Sequence, residues 1–220
     1  MKLKALLLDL DGTLLHTAPD MVGALNDLLV SKNKATVDFD IAMRQVSKGG
    51  AAMIQVGFGI DDEHSEFESL RQEFLATYAK RVCVESHAFD GMLGVLDYCE
   101  SNNILWGIVT NKPEYLTTPI LETMNLATRS AITVCGDTLN VNKPHPAPLL
   151  HCTTLLKLAP SDCLYVGDDE RDIQAGSAAG MHTAVANWGY IEPSIDVSDW
   201  QPEFIVNQPS GLMTLMQENS

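Results

Sequence analysis

The sequence predicts an α/β fold: a parallel sheet covered by helices on both faces, with an all-helical segment inserted near its start. Three observations predict it. Short apolar runs recur along the chain, each followed by a polar cluster and then by a helical pattern, which is how parallel strands joined by crossover helices read. One run, Ile104-Leu105-Trp106-Gly107-Ile108-Val109, is almost continuously apolar, as a strand buried on both faces should be. Residues from about 38 to 84 carry helical spacing with no period-two strand.

Taken in order, the apolar run from Leu6 is the first strand, and it ends in two carboxylates spaced by one residue, Asp9 and Asp11, and then in Gly12. A helix is predicted from about Pro19 to Ser31, with Met21, Val22, Leu25, Leu28 and Leu29 at helical spacing and Pro19 in its first turn. Helical patterns follow over Ile41–Val56 and Phe67–Tyr78, and within this region Ser47-Lys48-Gly49-Gly50-Ala51 permits a positive φ or a close approach to a ligand. Gly91 to Glu100 is a helix, Ile104 to Val109 a strand, and Pro113 opens another helix. Ala131 to Cys135 is a strand, and Asn142-Lys143-Pro144-His145-Pro146 leads into a helix reaching about Leu158. Cys163 to Val166 is a strand that ends in Gly167-Asp168-Asp169-Glu170-Arg171-Asp172 and a helix to about Ala179. His182 to Ala186 and Phe204 to Val206 are the last strands, with a terminal helix from about Ser210.

The 220 residues, 45% hydrophobic and 20% charged, suffice for one good core and a smaller subdomain. A net charge of −15 repels a nucleic-acid backbone, so an anionic substrate needs a local cation. Five scattered cysteines, 83, 99, 135, 152 and 163, form no Cys-x-x-Cys pair; they suit free thiols in a reducing cytoplasm and argue against zinc. No apolar stretch is long enough to span a bilayer, and the acids at 9 and 11 interrupt the only run that resembles a signal peptide. The expectation is a cytoplasmic monomer or homodimer with no nucleic-acid or membrane partner.

Ligands of such sheets bind outside the carboxyl ends of the strands, and each polar cluster here follows a strand. Alternation along the first strand would put Asp9 and Asp11 on one side, a few ångströms apart, an arrangement that folding does not require. Three carboxylates at one edge repel unless a hard cation sits among them. Oxygen-only ligation points to Mg2+ held by Asp9, Asp11 and Asp168. Lys143 and the Thr110 hydroxyl then supply donors to phosphate oxygens. Asp9 is placed to attack phosphorus, and Asp11 to protonate the leaving alkoxide and later to deprotonate water. Asp169 reads as the N-cap of the following helix.

With those four clusters in order, Asp9-Leu10-Asp11-Gly12-Thr13, Thr110, Lys143, and Gly167-Asp168 through Asp172, the chain resembles the haloacid dehalogenase superfamily of phosphatases over essentially its whole length. The resemblance implies a Rossmann-like core over residues 1–16 and 88–220 and an α-helical cap over 17–87. It implies Asp9 as nucleophile, Asp11 as acid/base whose main-chain carbonyl ligates Mg2+, Asp168 as a further ligand, Asp169 and Asp172 as supporting carboxylates, and Thr110, Asn111 and Lys143 at the phosphate. Val109-Thr110-Asn111-Lys112-Pro113, Asn142 to Pro146 and Ala18-Pro19-Asp20 are similar to the phosphoglycolate phosphatase group. Leu105-Trp106-Gly107 and Trp188-Gly189-Tyr190-Ile191 resemble the N-acetylmuramic acid 6-phosphate phosphatases. Two departures stand out, His16-Thr17 where Asp-Ser is common and Asp169 where a small hydroxyl residue is common; neither is expected to touch the core chemistry, but both could alter the flap or the loop around the metal. Lys48, beside Gly49 and Gly50, is the expected cap contact to a substrate carboxylate.

The function expected is a Mg2+-dependent phosphomonoesterase of phosphoglycolate phosphatase type acting on a small anionic phosphorylated metabolite. The alternatives are an N-acetylmuramic acid 6-phosphate phosphatase, a phosphosugar mutase and a non-catalytic phosphometabolite-binding domain. A dehalogenase needs neither a leaving-group acid nor Mg2+, so Asp11 and Asp168 count against it.

Overall fold

The computed structural model describes residues 3–218. The strands are β1 (Ala5–Leu8), β2 (Leu15–His16), β3 (His87–Ala88), β4 (Leu105–Val109), β5 (Ile132–Val134), β6 (Cys163–Gly167), β7 (His182–Ala186) and β8 (Phe204–Val206). The helices are α1 (Ala18–Ser31), α2 (Phe39–Met43), α3 (Gly50–Phe58), α4 (Phe67–Ala79), α5 (Met92–Ser101), α6 (Glu114–Thr123), α7 (Ala147–Leu156), α8 (Glu170–Ala179) and α9 (Gly211–Glu218).

Six strands form one parallel sheet in the order β5-β4-β1-β6-β7-β8. β1 is central because all four of its residues are apolar and fully buried: alternation sends Leu6 and Leu8 to one face and Ala5 and Leu7 to the other. On the first face they meet Trp106, Ile108, Val166 and the inward sides of α5 and α9. On the second they meet Tyr165, Leu149 and Cys152 of α7, and Ala175 of α8. Leu8 lies in register with Ile108 and Val166, so the three strands end level and their loops leave from one edge.

Helices α1 to α4 pack on one another around a second apolar cluster that includes Met21, Leu25, Met53, Phe74 and Tyr78. The chain enters and leaves this helical insert through a two-stranded antiparallel ribbon, β2 with β3, in which His16 pairs with His87. Strands of two residues carry no detectable period, so the sequence did not predict the ribbon. Asp20, fully buried in the first turn of α1, accepts hydrogen bonds from Glu85 N, Ser86 N and Ser86 Oγ, tying both crossings together. The pattern expected to run from Ile41 to Val56 is broken into α2, a short turn over Val46–Lys48, and α3. The break falls at Gly49, whose φ of 81° and ψ of −168° are open essentially to glycine alone.

Candidate active site

The loops after β1, β4, β5 and β6 meet at the carboxyl edge of the sheet and bury Asp9, Asp11, Thr110, Lys112, Lys143, Asp168 and Asp172. Carboxylate oxygens of Asp9, Asp168 and Asp172 lie within 4.8 Å of one another.

Lys143 is the cation nearest these three acids. Its ammonium donates to Asp172 Oδ1 at 2.6 Å, to the Tyr165 hydroxyl at 2.8 Å and to the Val109 carbonyl at 3.0 Å. Those bonds occupy its three N–H groups. Asp9 Oδ1 lies 2.9 Å from the same nitrogen yet has no aligned hydrogen bond, and it is a buried carboxylate oxygen left without one. Burial pushes the Asp9 carboxyl up to about 7, against the pull of Lys143 and with a further push from Asp172. Burial, then Asp9 and Asp172, drive Asp168 well above the usual carboxylate range. Three buried acids around one lysine, with an orphaned oxygen, are a donor set that suits a hard divalent cation, whose charge would reverse those upward shifts.

The Asp11 carboxylate points elsewhere. Lys112 Nζ donates to both of its oxygens at 3.0 Å, and the Thr17 hydroxyl donates to Oδ1. Asp11 therefore stands apart from the three-acid cluster; only its main chain is turned toward Asp168, where Ser47 Oγ bridges Asp11 O at 3.3 Å and Asp168 Oδ2 at 2.8 Å. Burial works against the Lys112 ammonium, but Asp11 and then Tyr78 more than offset it, and its pKa is raised. Thr17, the residue before α1, donates to the Asp11 carboxylate, and the tight turn at Gly12 brings it there.

The remaining expected residues fall into place by their partners. Thr110 Oγ1 accepts from Lys112 N at 3.1 Å, leaving its proton for a ligand. The Asn111 amide is engaged with the Lys143 backbone, accepting from Lys143 N at 3.1 Å and donating to Lys143 O at 3.0 Å, so it holds the lysine loop. Asp169 caps α8 in a reciprocal box with Asp172 and pairs with Arg171. Burial raises the Asp169 pKa, but the Arg171 hydrogen bonds and charge outweigh it, for a net lowering. Asp168 Oδ1 accepts from Thr13 Oγ1 at 3.1 Å and Oδ2 from Tyr190 N at 2.9 Å. A methyl group at Gly12 or Gly189 would overlap the Asp168 carboxyl, so both glycines are needed for its close seating.

Above the acids lies a cavity of about 260 Å3. Asp9, Asp11 and Asp172 lie at its floor; its walls include Lys48, Gly49 and Gly50 at the start of α3, and Arg71, Leu75 and Tyr78 from α4. Five cations, Lys48, Arg71, Lys112, Lys143 and Arg171, line it. Sequence reasoning missed Lys112, Ser47, Arg171, Tyr165 and Tyr190. The signal for Lys112 was at hand, since it directly follows Thr110-Asn111; Ser47 and Tyr190 reach the site only through tertiary packing.

The family model described as haloacid dehalogenase-like hydrolase matches residues 6–186. An N-acetylmuramic acid 6-phosphate phosphatase of Pseudomonas putida is 41% identical over 209 residues, covering 95% of this chain and 94% of that protein. A phosphoglycolate phosphatase of Xanthomonas campestris pv. campestris is 42% identical, with coverage of 95% and 94%. In fold, the chain is similar to a crystal structure from Haemophilus somnus described as a predicted phosphoglycolate phosphatase, with a TM-score of 0.87, 24% identity, and 99% of each chain covered.

Proposed function

The chain belongs to the haloacid dehalogenase-like hydrolase family and is a phosphoric monoester hydrolase, and from that premise we propose that it uses Mg2+ to hydrolyse the phosphate ester of a carboxylate-bearing amino sugar. Residues 17–87 serve as the cap over a core formed by 1–16 and 88–220. Asp9 and Asp168, with the Asp11 carbonyl beside them, would hold the cation. When bound it offsets the clustered negative charge and draws electron density from the phosphate oxygens.

The chain's own residues do the rest. Lys143 and Thr110 bind phosphate oxygens, with Asn111 and Asp172 fixing Lys143. Asp9 Oδ attacks phosphorus and forms the aspartyl phosphate as the bond to the leaving oxygen breaks. Asp11, once protonated and turned from Lys112 toward the leaving oxygen, gives that oxygen its proton, then takes one from the water that attacks the phosphorus and frees inorganic phosphate. Before that step Lys112 and Thr17 hold the Asp11 carboxylate apart from the three-acid cluster. The helices around the cavity keep bulk water from the intermediate.

The observation that favours an amino-sugar acid is the cavity. Met21, Val46, Leu75, Tyr78 and Leu116 give it an apolar wall suited to a ring and an acetyl group, which a two-carbon ester has no group to meet. Relatives named for either substrate are equally similar, so identity does not choose between them. The test is phosphate release with Mg2+ from N-acetylmuramic acid 6-phosphate and from 2-phosphoglycolate. The expected kcat/KM is higher for the sugar ester; a preference for phosphoglycolate overturns the substrate reading, and accumulation of an isomer in place of phosphate overturns hydrolysis.

A further inference from the structure

We infer that Arg71 on α4 is the specificity residue that receives the substrate carboxylate, and that its position along the helix measures the distance from that carboxylate to the phosphate. This rests on the reading above that the substrate is a carboxylated sugar phosphate.

Arg71, Leu75 and Tyr78 all line the cavity, and their spacing of i, i+4 and i+7 puts them on one stripe of α4. Tyr78 is the end of the stripe nearest the chemistry: Lys112 Nζ, which grips Asp11, lies 4.7 Å from the Tyr78 ring centroid. The Tyr78 hydroxyl is buried beside Lys112. Arg71 is two turns away, about 10 Å along the axis at 1.5 Å per residue. A carboxylate separated from phosphorus by one oxygen and one methylene is too short to run the length of that stripe, whereas one carried across a sugar ring reaches along it. Between them, Leu75 offers an apolar contact of the kind a ring face takes.

The state of the guanidinium fits such a role. Glu68, one turn earlier, binds Nε and Nη2 at 2.8 Å each, and Gln72 Nε2 steadies Glu68 at 2.7 Å. Arg71 is thereby held in one orientation, while Nη1 has no hydrogen-bond partner among the described residues. Three of the other cavity cations are more fully engaged, whereas Lys48 is held only by a neutral amide and a loose ion pair. Lys112 is held by Asp11, Lys143 by Asp172, and Arg171 by Asp169 and the Ser47 carbonyl. Lys48, the cap cation expected from the sequence, donates to Gln45 Oε1 at 3.1 Å and lies 3.9 Å from Glu192 on the rim.

The experiment compares kcat/KM for N-acetylmuramic acid 6-phosphate with that for N-acetylglucosamine 6-phosphate, the same ring without the carboxylate, in the wild-type protein and in Arg71→Gln, Arg71→Lys and Lys48→Met. In Arg71→Gln the ratio should fall about tenfold, the size of one charge-assisted hydrogen bond, through KM for the muramic ester. Arg71→Lys should recover part of it, and Lys48→Met should change it less. An unchanged ratio in Arg71→Gln, or a larger fall in Lys48→Met, overturns the assignment to Arg71 while leaving the substrate reading intact. Wild-type protein that hydrolyses 2-phosphoglycolate but not the muramic ester overturns the substrate reading, and the assignment with it.

Discussion

Asp9 and Asp11 are two residues apart, and the structure gives them different surroundings. Asp9 faces Asp168, Asp172 and Lys143; the Asp11 carboxylate is turned to Lys112 and Thr17. The sequence placed both acids at the end of a strand because an apolar run stops there, and that much follows from local pattern. Their division does not, since it depends on which way the turn at Gly12 sends each side chain and on a lysine from the loop after β4. Lys112 and Asp11 form a buried pair, so removing one partner leaves an uncompensated charge. Lys112→Met should destabilise the protein by about 3 kcal/mol or more. In urea unfolding, the Lys112→Met, Asp11→Asn double variant should lose less than the sum of the singles. Additive losses would show that the pair is not coupled.

At the scale of elements, the alternation of strand, polar loop and helix was legible throughout the sheet, because each strand is a short apolar run with a helix after it. Two features were not. The ribbon of β2 and β3 is held by only two residue pairs, and the helix expected across residues 41–56 is interrupted by a glycine whose conformation the hydrophobic pattern does not register. The ribbon has its own chemistry. His16 Nδ1 is 2.9 Å from the Tyr190 hydroxyl, and its ring packs against His87, Phe39, Phe89 and Tyr190. Burial, and then the facing His87, hold the His16 pKa below the usual 6.5. The unfolded chain therefore takes up the proton more readily than the folded protein. Stability from this site is complete above pH 6.5 and declines as pH drops through that value toward the lower folded pKa. His16→Gln should flatten the fall in Tm between about pH 7 and 5. Parallel slopes for the two proteins would contradict this.

For the whole molecule, the net charge of −15 and the cavity have opposite characters: five of the chain's 14 lysines and arginines line one cavity of about 260 Å3. The acidic exterior discourages nucleic acid, while the lining concentrates positive potential where a phosphate ester must dock. Composition announced the first fact, and only the fold reveals the second, because Lys48, Arg71, Lys112, Lys143 and Arg171 come from five separate segments. The positions that carry the reaction in our account were legible because they sit at strand ends. Those that choose the substrate were not, because α4 reaches the cavity only when the insert folds over the sheet. The central claim is that Asp9 becomes phosphorylated, and it is tested most directly by acid-quenching the protein during turnover with Mg2+, reducing it with borohydride and sequencing the peptides by mass spectrometry. The account predicts homoserine at position 9, absent without substrate and absent in Asp9→Asn, which should keep its fold and lose turnover. Turnover with no modification at position 9, or with the modification at another carboxylate, would contradict it.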